Sequence, residues 1–182
     1  MPSVSSRPTI KKKNKEKKPP YIIAQHVTVQ PKEIPEKVRK VIGIDPGEFN
    51  TGIAIVYLTE NKKETTTIRS KSFDEMMDNL VEFLMKNYSA AEDILAVEVS
   101  FIAVPSIVLI WQIVGMLRFL FRNIATVTPT EAAAKGLGYG RLKYPEKKRI
   151  LLQKGWKGLK NGHEVAAAAV AEWALNFLLP KL

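Results

Sequence analysis

The sequence predicts a single α/β domain in which a mixed sheet of five strands is covered by helices. Three observations carry that expectation. Apolar runs of strand length fill the first part of the folded region, helical periodicity fills the last part, and the first three strands are joined too tightly for helices to lie between them. Strands joined by short turns pair as an antiparallel meander, whereas strands separated by a helix can return parallel. At 182 residues the chain has room for one compact domain and a tail, not for two full-sized domains.

The elements follow in order. Val41-Ile-Gly-Ile-Asp45 is a short, almost wholly apolar run, as expected of a strand buried on both faces. Asp45-Pro-Gly-Glu-Phe-Asn50 reads as a turn, Thr51 to Leu58 as the second strand and Lys63 to Ser72 as the third. Phe73 to Tyr88 carries Met76, Met77, Leu80, Phe83 and Leu84 at helical spacing, with Ser72 as its N-cap. Asp93 to Ser100 is the fourth strand, Val104 to Phe121 a long apolar helix, and Ile124 to Val127 the fifth strand. Helices are expected at Thr130 to Leu137, Pro145 to Lys154 and His163 to Leu178.

Composition narrows the function classes. With 46% hydrophobic and 25% charged residues the chain can bury a core, unlike a disordered or fibrous protein. There is no cysteine, which excludes disulfides and thiolate zinc sites, leaves oxygen or imidazole as metal ligands, and fits an intracellular, reducing compartment. No apolar stretch reaches the ~18 to 20 residues that a membrane span needs. The nearest, Ile107 to Phe121, contains Gln112 and Arg118 and reads as a buried helix.

The net charge of +10 is unevenly placed. Residues 1–20 hold seven Lys or Arg against Glu16 alone, end in Pro19-Pro20, and read as a disordered, Lys-rich tail. Such a tail suits a polyanion, held through counterion release without sequence preference, or merely aids solubility. Residues 21–39, broken by Pro31 and Pro35, read as an extended arm or linker, so the folded domain is expected over residues 40–182.

Two acids stand out because each is alone in an apolar strand. Asp45 ends the first, and Glu98 lies in Leu95-Ala-Val-Glu98-Val. An unpaired carboxylate is costly to bury, so each must be compensated or lie at a solvent-facing strand end. Two carboxylates on two central strands are raw material for a divalent cation, since Mg²⁺ takes oxygen ligands and commonly only one or two carboxylates. The alternative is that each acid caps a turn or faces solvent.

Several motifs, in order, resemble the RuvC family of Holliday junction resolvases. Val41-Ile-Gly-Ile-Asp45-Pro-Gly, followed by Thr51-Gly52, resembles that family's opening strand, whose Asp is a metal ligand. Ala96-Val-Glu98-Val-Ser-Phe101 is similar to its second acidic strand, in which an aromatic three residues after the Glu stacks on an unpaired base. Thr128-Pro129-Thr130 resembles its exit from the fifth strand, and Gly138-Tyr-Gly140-Arg141 its glycine loop before DNA-contacting lysines. The resemblance spans roughly residues 41 to 178. It implies a ribonuclease H-like sheet, a three-strand antiparallel meander plus two parallel strands flanked by helices, and a metal-dependent nuclease.

The last acidic site departs from the family, which carries two acids, or a His and an acid, three residues apart at the start of the final helix. Here those positions are His163 and Ala166. Imidazole can ligate a metal or act as a general base, whereas a methyl group can do neither. Glu164 is the available substitute, but it lies about 100° round the helix from His163. With Asn161 as N-cap it also falls where a capping-box acid would sit.

The expected catalytic and metal set is therefore Asp45, Glu98, His163 and Glu164, with Mg²⁺ or Mn²⁺ as the cofactor. Phe101, Lys135, Arg141, Lys143, Lys147 and Lys148 are the expected nucleic-acid contacts, with Phe101 as base-stacker or core residue. The Lys/Arg set continues through Arg149, Lys154, Lys157 and Lys160, as a phosphate-binding surface or a solvated face. The helix over 104–121 is apolar on more than one face, and its surplus is expected to form a homodimer.

The expected activity is an endonuclease resolving Holliday junctions or other branched DNA in recombination and repair, with no membrane association. The alternative is a nuclease-derived binding protein, on branched DNA or on structured RNA in a larger particle, favoured by Ala166. A sugar-kinase or ATPase domain of the actin-type fold shares the Asp-Gly turn but needs further phosphate-binding glycine loops, which the sequence lacks.

Overall fold

The computed structural model describes residues 34–100, 107–121 and 124–179. The Lys-rich tail, the arm up to residue 33 and Phe101 lie outside them. The strands are β1 (Lys40–Asp45), β2 (Asn50–Tyr57), β3 (Lys62–Arg69), β4 (Asp93–Glu98) and β5 (Ile124–Val127). The helices are α1 (Phe73–Asn87), α2 (Ile107–Phe121), α3 (Pro129–Glu131), α4 (Tyr144–Gln153) and α5 (Gly162–Phe177).

These form a five-stranded sheet in the order β3-β2-β1-β4-β5. β1, β2 and β3 are the antiparallel meander, and β4 and β5 extend it with parallel pairing. The mixed sheet read from the sequence is the one the chain forms. The meander follows from its short turns, and β4 lies parallel to β1 because α1 carries the chain back across the sheet. Ser72 caps α1 as expected, its Oγ accepting from the Glu75 amide at 3.2 Å.

Alternation along the strands sorts side chains onto two faces. Ile42, Ile44, Ile53, Ile55, Leu95 and Val97 point to one face and bury against Leu80 and Leu84 of α1 and Ile113, Val114 and Leu117 of α2. Val41, Ala54, Val56, Ile94 and Ala96 point to the other, under α5. Each fully buried branched side chain contributes roughly 1.5 to 3 kcal/mol.

Helix α5 approaches the sheet unusually closely. A Cβ on Gly43 would lie 2.4 Å from the Ala167 carbonyl oxygen, and one on Gly52 would lie 2.1 Å from that of His163. Only hydrogen fits at those two positions, where Gly43 faces Ala167 and Ala171 and Gly52 faces the backbone of His163 and Glu164. From the far side Gly136 presses on α5 in the same way, with its Cβ position 2.7 Å from the Ala169 oxygen. The Ala167–Ala171 run is therefore a packing device that leaves the helix buried on nearly all sides.

The stretch expected as one helix over Thr130 to Leu137 departs from that reading. Thr128 caps a single α turn, and the chain then widens into a π-helical turn over Ala132–Gly136. The wider turn keeps Ala132, Ala133, Gly136 and Leu137 all directed into the core. Among the described residues no helix is long and apolar enough to cross a membrane.

Candidate active site

Strand parity builds the centre of the site. In the parallel pair, Ile44 of β1 lies beside Val97 of β4, so Asp45 and Glu98 are the next neighbours at the carboxyl ends of both strands. One residue beyond those inward-facing neighbours, both acids project from the opposite face, the one that α5 covers. Neighbouring strands run about 4.8 Å apart, which brings the two carboxyl groups together.

Their electrostatics reflect that closeness. The Glu98 carboxyl is pushed up to about 8, first by burial and then by the negative charge of Asp45, while the Lys147 ammonium works in the opposite direction. Two carboxylates held together in this way favour a proton or a cation between them.

His163 completes the cluster from above. Its Nδ1 lies 2.8 Å from Asp45 Oδ2, and with Asp45 ionised it is the Nδ1 proton that is donated. That bond raises the imidazole's proton affinity against the opposing effect of partial burial. In the neutral ring this leaves Nε2 as the acceptor nitrogen. The position is set by packing, because the His163 backbone rests on Gly52 and its ring edge sits 3.3 Å from where a Cβ on Gly47 would be.

Glu164, an expected member of the set, is directed elsewhere. It is buried, and its carboxylate accepts from Thr67 Oγ1 at 2.9 Å, Thr65 Oγ1 at 3.3 Å and the Lys160 amide at 2.7 Å. The physical reason is the ~100° offset from His163: one residue aims at β1 and the next at β3. Asn161 caps the helix as expected, with Oδ1 accepting from the Glu164 amide at 3.0 Å. Glu164 thus ties the first turn of α5 to the sheet and positions His163 without joining it.

Ala166 faces a small cavity of about 220 Å³ that it shares with Leu142, Tyr144, Lys147, Gly162 and Val165. Lys147 is accordingly close to the acidic pair, with Lys148 beside it in α4 and Arg141 and Lys143 exposed on the preceding loop. Lys135 is not part of this group. It pairs with Glu131 at 2.7 Å and lies over the Phe177 ring at 3.9 Å, at the far end of α5. From His163 to Phe177 is 14 residues, about 21 Å of helix.

Among the described residues no three His, Asp or Glu side chains converge to hold a metal ion. The donor set of Asp45 and Glu98 nevertheless fits one oxygen-preferring cation that takes its remaining ligands from water and phosphate. Of the four residues expected to share the site, Asp45, Glu98 and His163 come together, whereas Glu164 is bonded to Thr65 and Thr67 of β3. The pattern missed in the sequence is the Thr65-Thr66-Thr67 run, whose alternate hydroxyls claim Glu164.

A meander extended by two parallel strands, with helices on both faces and two acids at adjacent strand ends, defines a ribonuclease H-like domain. Solved structures of that fold align with it over most of their length. Thermus thermophilus RuvC in complex with a Holliday junction substrate matches with a TM-score of 0.61 and 17% identity, covering 77% of this chain and 94% of that one. A second Thermus thermophilus RuvC structure gives 0.59 and 17%, covering 76% and 95%. The fowlpox virus Holliday junction resolvase aligns more loosely, at 0.47 and 16% over 76% and 97%. No protein-family model and no curated protein matches the sequence. At these identities the likeness is one of fold.

Proposed function

We propose that this chain is a divalent-metal-dependent endonuclease that hydrolyses phosphodiester bonds in branched DNA, with a four-way junction as its substrate. The observation that carries the proposal is the Asp45–Glu98 pair at adjacent strand ends with His163 bonded to Asp45. The fold, shared with RuvC bound to a Holliday junction, supports the substrate class.

Asp45 and Glu98 would hold Mg²⁺ or Mn²⁺, which when bound supplies charge stabilisation at the phosphoryl oxygens and a more acidic water. His163 keeps Nδ1 on Asp45 and offers Nε2 to take a proton from the attacking water. Lys147 places a positive charge beside the pair where the phosphate must sit. Arg141, Lys143 and Lys148 extend that charge along the backbone of the bound strand. Incubation with a synthetic four-way junction and Mg²⁺ or Mn²⁺ should give cuts that Asp45→Asn slows by about 10³-fold. Tight binding with no cleavage in either metal would sink the enzymatic reading.

One observation favours a second reading, a binding protein that has lost catalysis. The residue at the expected last acidic position is Ala166, and it opens on a cavity with room for a carboxylate. Ala166→Asp separates the two: cleavage appearing only in that variant identifies the native chain as a binder.

The proposed assembly is a homodimer through α2. Its inner face is buried by Ile113, Val114 and Leu117, while Val108, Trp111, Phe119 and Leu120 remain exposed on the other. Sedimentation at micromolar concentration should give a dimer that Phe119→Glu dissociates, and a wild-type monomer would overturn this arrangement.

A further inference from the structure

The segment between α4 and α5 has an order that a merely solvated charged loop does not need. It reads as three triplets, Lys154-Gly155-Trp156, Lys157-Gly158-Leu159 and Lys160-Asn161-Gly162. Trp156 and Leu159 are buried at 1% and 4% exposure, whereas all three lysines and the intervening glycines face solvent. Gly155 and Gly158 have φ of 86° and 71°, the left-handed region that lets the chain turn one side chain inward and the next outward. The result is a row of lysines pinned from beneath by two core anchors.

The row has a defined place and length. At one end the Lys160 amide bonds Glu164, the neighbour of His163; at the other, Lys154 lies 3.6 Å from Glu172, which also takes Trp156 Nε1 at 2.8 Å and Lys63 at 2.6 Å. From Glu164 to Glu172 is eight residues of α5, about 12 Å. Three lysines are thus spaced over the length in which one strand of a duplex presents three to four phosphates, at about 3.4 Å of axis each. Glu172 is already matched by Lys63 and Lys154, while Lys157 and Lys160 have no acidic partner among the described residues. A cleft of about 530 Å³ opens beside them, lined by Lys157, Gly158 and Lys160 and by β3 from Lys63 to Thr66, where Glu64 is paired with Lys62, with Ile53, Ile55, Tyr57 and Phe83 completing an apolar part.

We propose that this loop is a second polynucleotide track, holding the phosphodiester backbone without sequence preference on the β3 side of the site. Arg141, Lys143 and Lys147 lie on the α4 side, so a strand crossing Asp45 and Glu98 is held on both sides of the bond to be cut. The inference rests on the nucleic-acid reading of the site but not on catalysis.

The test is binding of the full chain to a four-way junction and to a linear duplex over a salt series, with EDTA to prevent cleavage. The double variant Lys157→Gln, Lys160→Gln should weaken both complexes alike and flatten the slope of log affinity against log salt by about 1.8, about 0.9 for each lost contact. Lys157→Arg with Lys160→Arg should restore it. In wild type, bound duplex should protect Lys157 and Lys160 from acetylation read by mass spectrometry. An unchanged slope, or equal acetylation with and without DNA, overturns the track and leaves the proposed nuclease standing. Failure of wild type to bind either DNA overturns both.

Discussion

On the face covered by α1 and α2 the sheet presents Ile42, Ile44, Ile53, Ile55, Leu95 and Val97; on the face covered by α5, Val41, Val56 and Ile94 are interspersed with Gly43, Gly52, Ala54 and Ala96. The first set fills space with branched side chains that meet equally large partners. The second removes side chains so that a helix backbone can rest directly on the strands. Asp45 and Glu98 belong to the second face, and so does His163. Close approach is what makes the site: side chains at positions 43 and 52 would hold α5 off the strands and carry His163 away from Asp45. Both faces bury a core, and the second, through its glycines, also fixes how near α5 sits.

The largest expected effect breaks the second face at its chemistry. Asp45→Asn should lower junction cleavage by about 10³-fold, roughly 4 kcal/mol of barrier, while circular dichroism and melting temperature stay close to wild type. Next, Gly52→Ala adds one carbon where the His163 carbonyl oxygen already lies 2.1 Å away. It should cost about 3 kcal/mol in denaturant unfolding, at the upper end for overpacking, because backbone must move. On the opposite face, Ile44→Val removes one carbon and should cost only about 1 kcal/mol. Equal costs for the two single-carbon changes would erase the distinction between the faces.

A smaller effect is expected in pH dependence. Glu98 has a folded value of about 8 against an ordinary 4.5, so folding takes up a proton there. Its stabilising contribution is complete below 4.5 and is lost as pH rises towards 8. His163, also raised, adds a loss of the same sign as pH rises from its ordinary 6.5 through its folded value. In EDTA the melting temperature should fall between pH 5 and 8, Glu98→Gln should flatten most of that fall, and His163→Gln only the part above about 6.5. Saturating Mg²⁺ should flatten it in wild type, since a bound cation replaces the proton.

Strand and helix identities were legible because each rests on local periodicity. β5 runs over Ile124–Val127 as read, α1 starts at Phe73 behind its Ser72 cap, and α5 follows the Asn161 cap. The π-helical turn was not legible, because Ala132–Gly136 carries no local signal against an α-helix and is shaped by the helix it presses on. Asp45 and Glu98 were legible as lone acids in apolar strands. The departure of Glu164 was only half legible. Its angular offset from His163 and its capping position could be counted along the chain, but not the Thr65 and Thr67 hydroxyls that hold it. Lys135 and Lys147 show the same limit. They belong to one basic run in sequence, yet lie at opposite ends of α5.

By itself the sequence determined the order of the elements, the mixed sheet, and the two strands whose parity aligns their acids, because hydrophobic periodicity and turn length are properties of neighbouring residues. Only the tertiary structure decided which acids meet. The close seat of α5 on Gly43 and Gly52 joins His163 to Asp45 across 118 positions of chain, and the same helix, one residue on, carries Glu164 away to β3. Contacts of that kind depend on how far apart two backbones are held, and no local pattern records that distance.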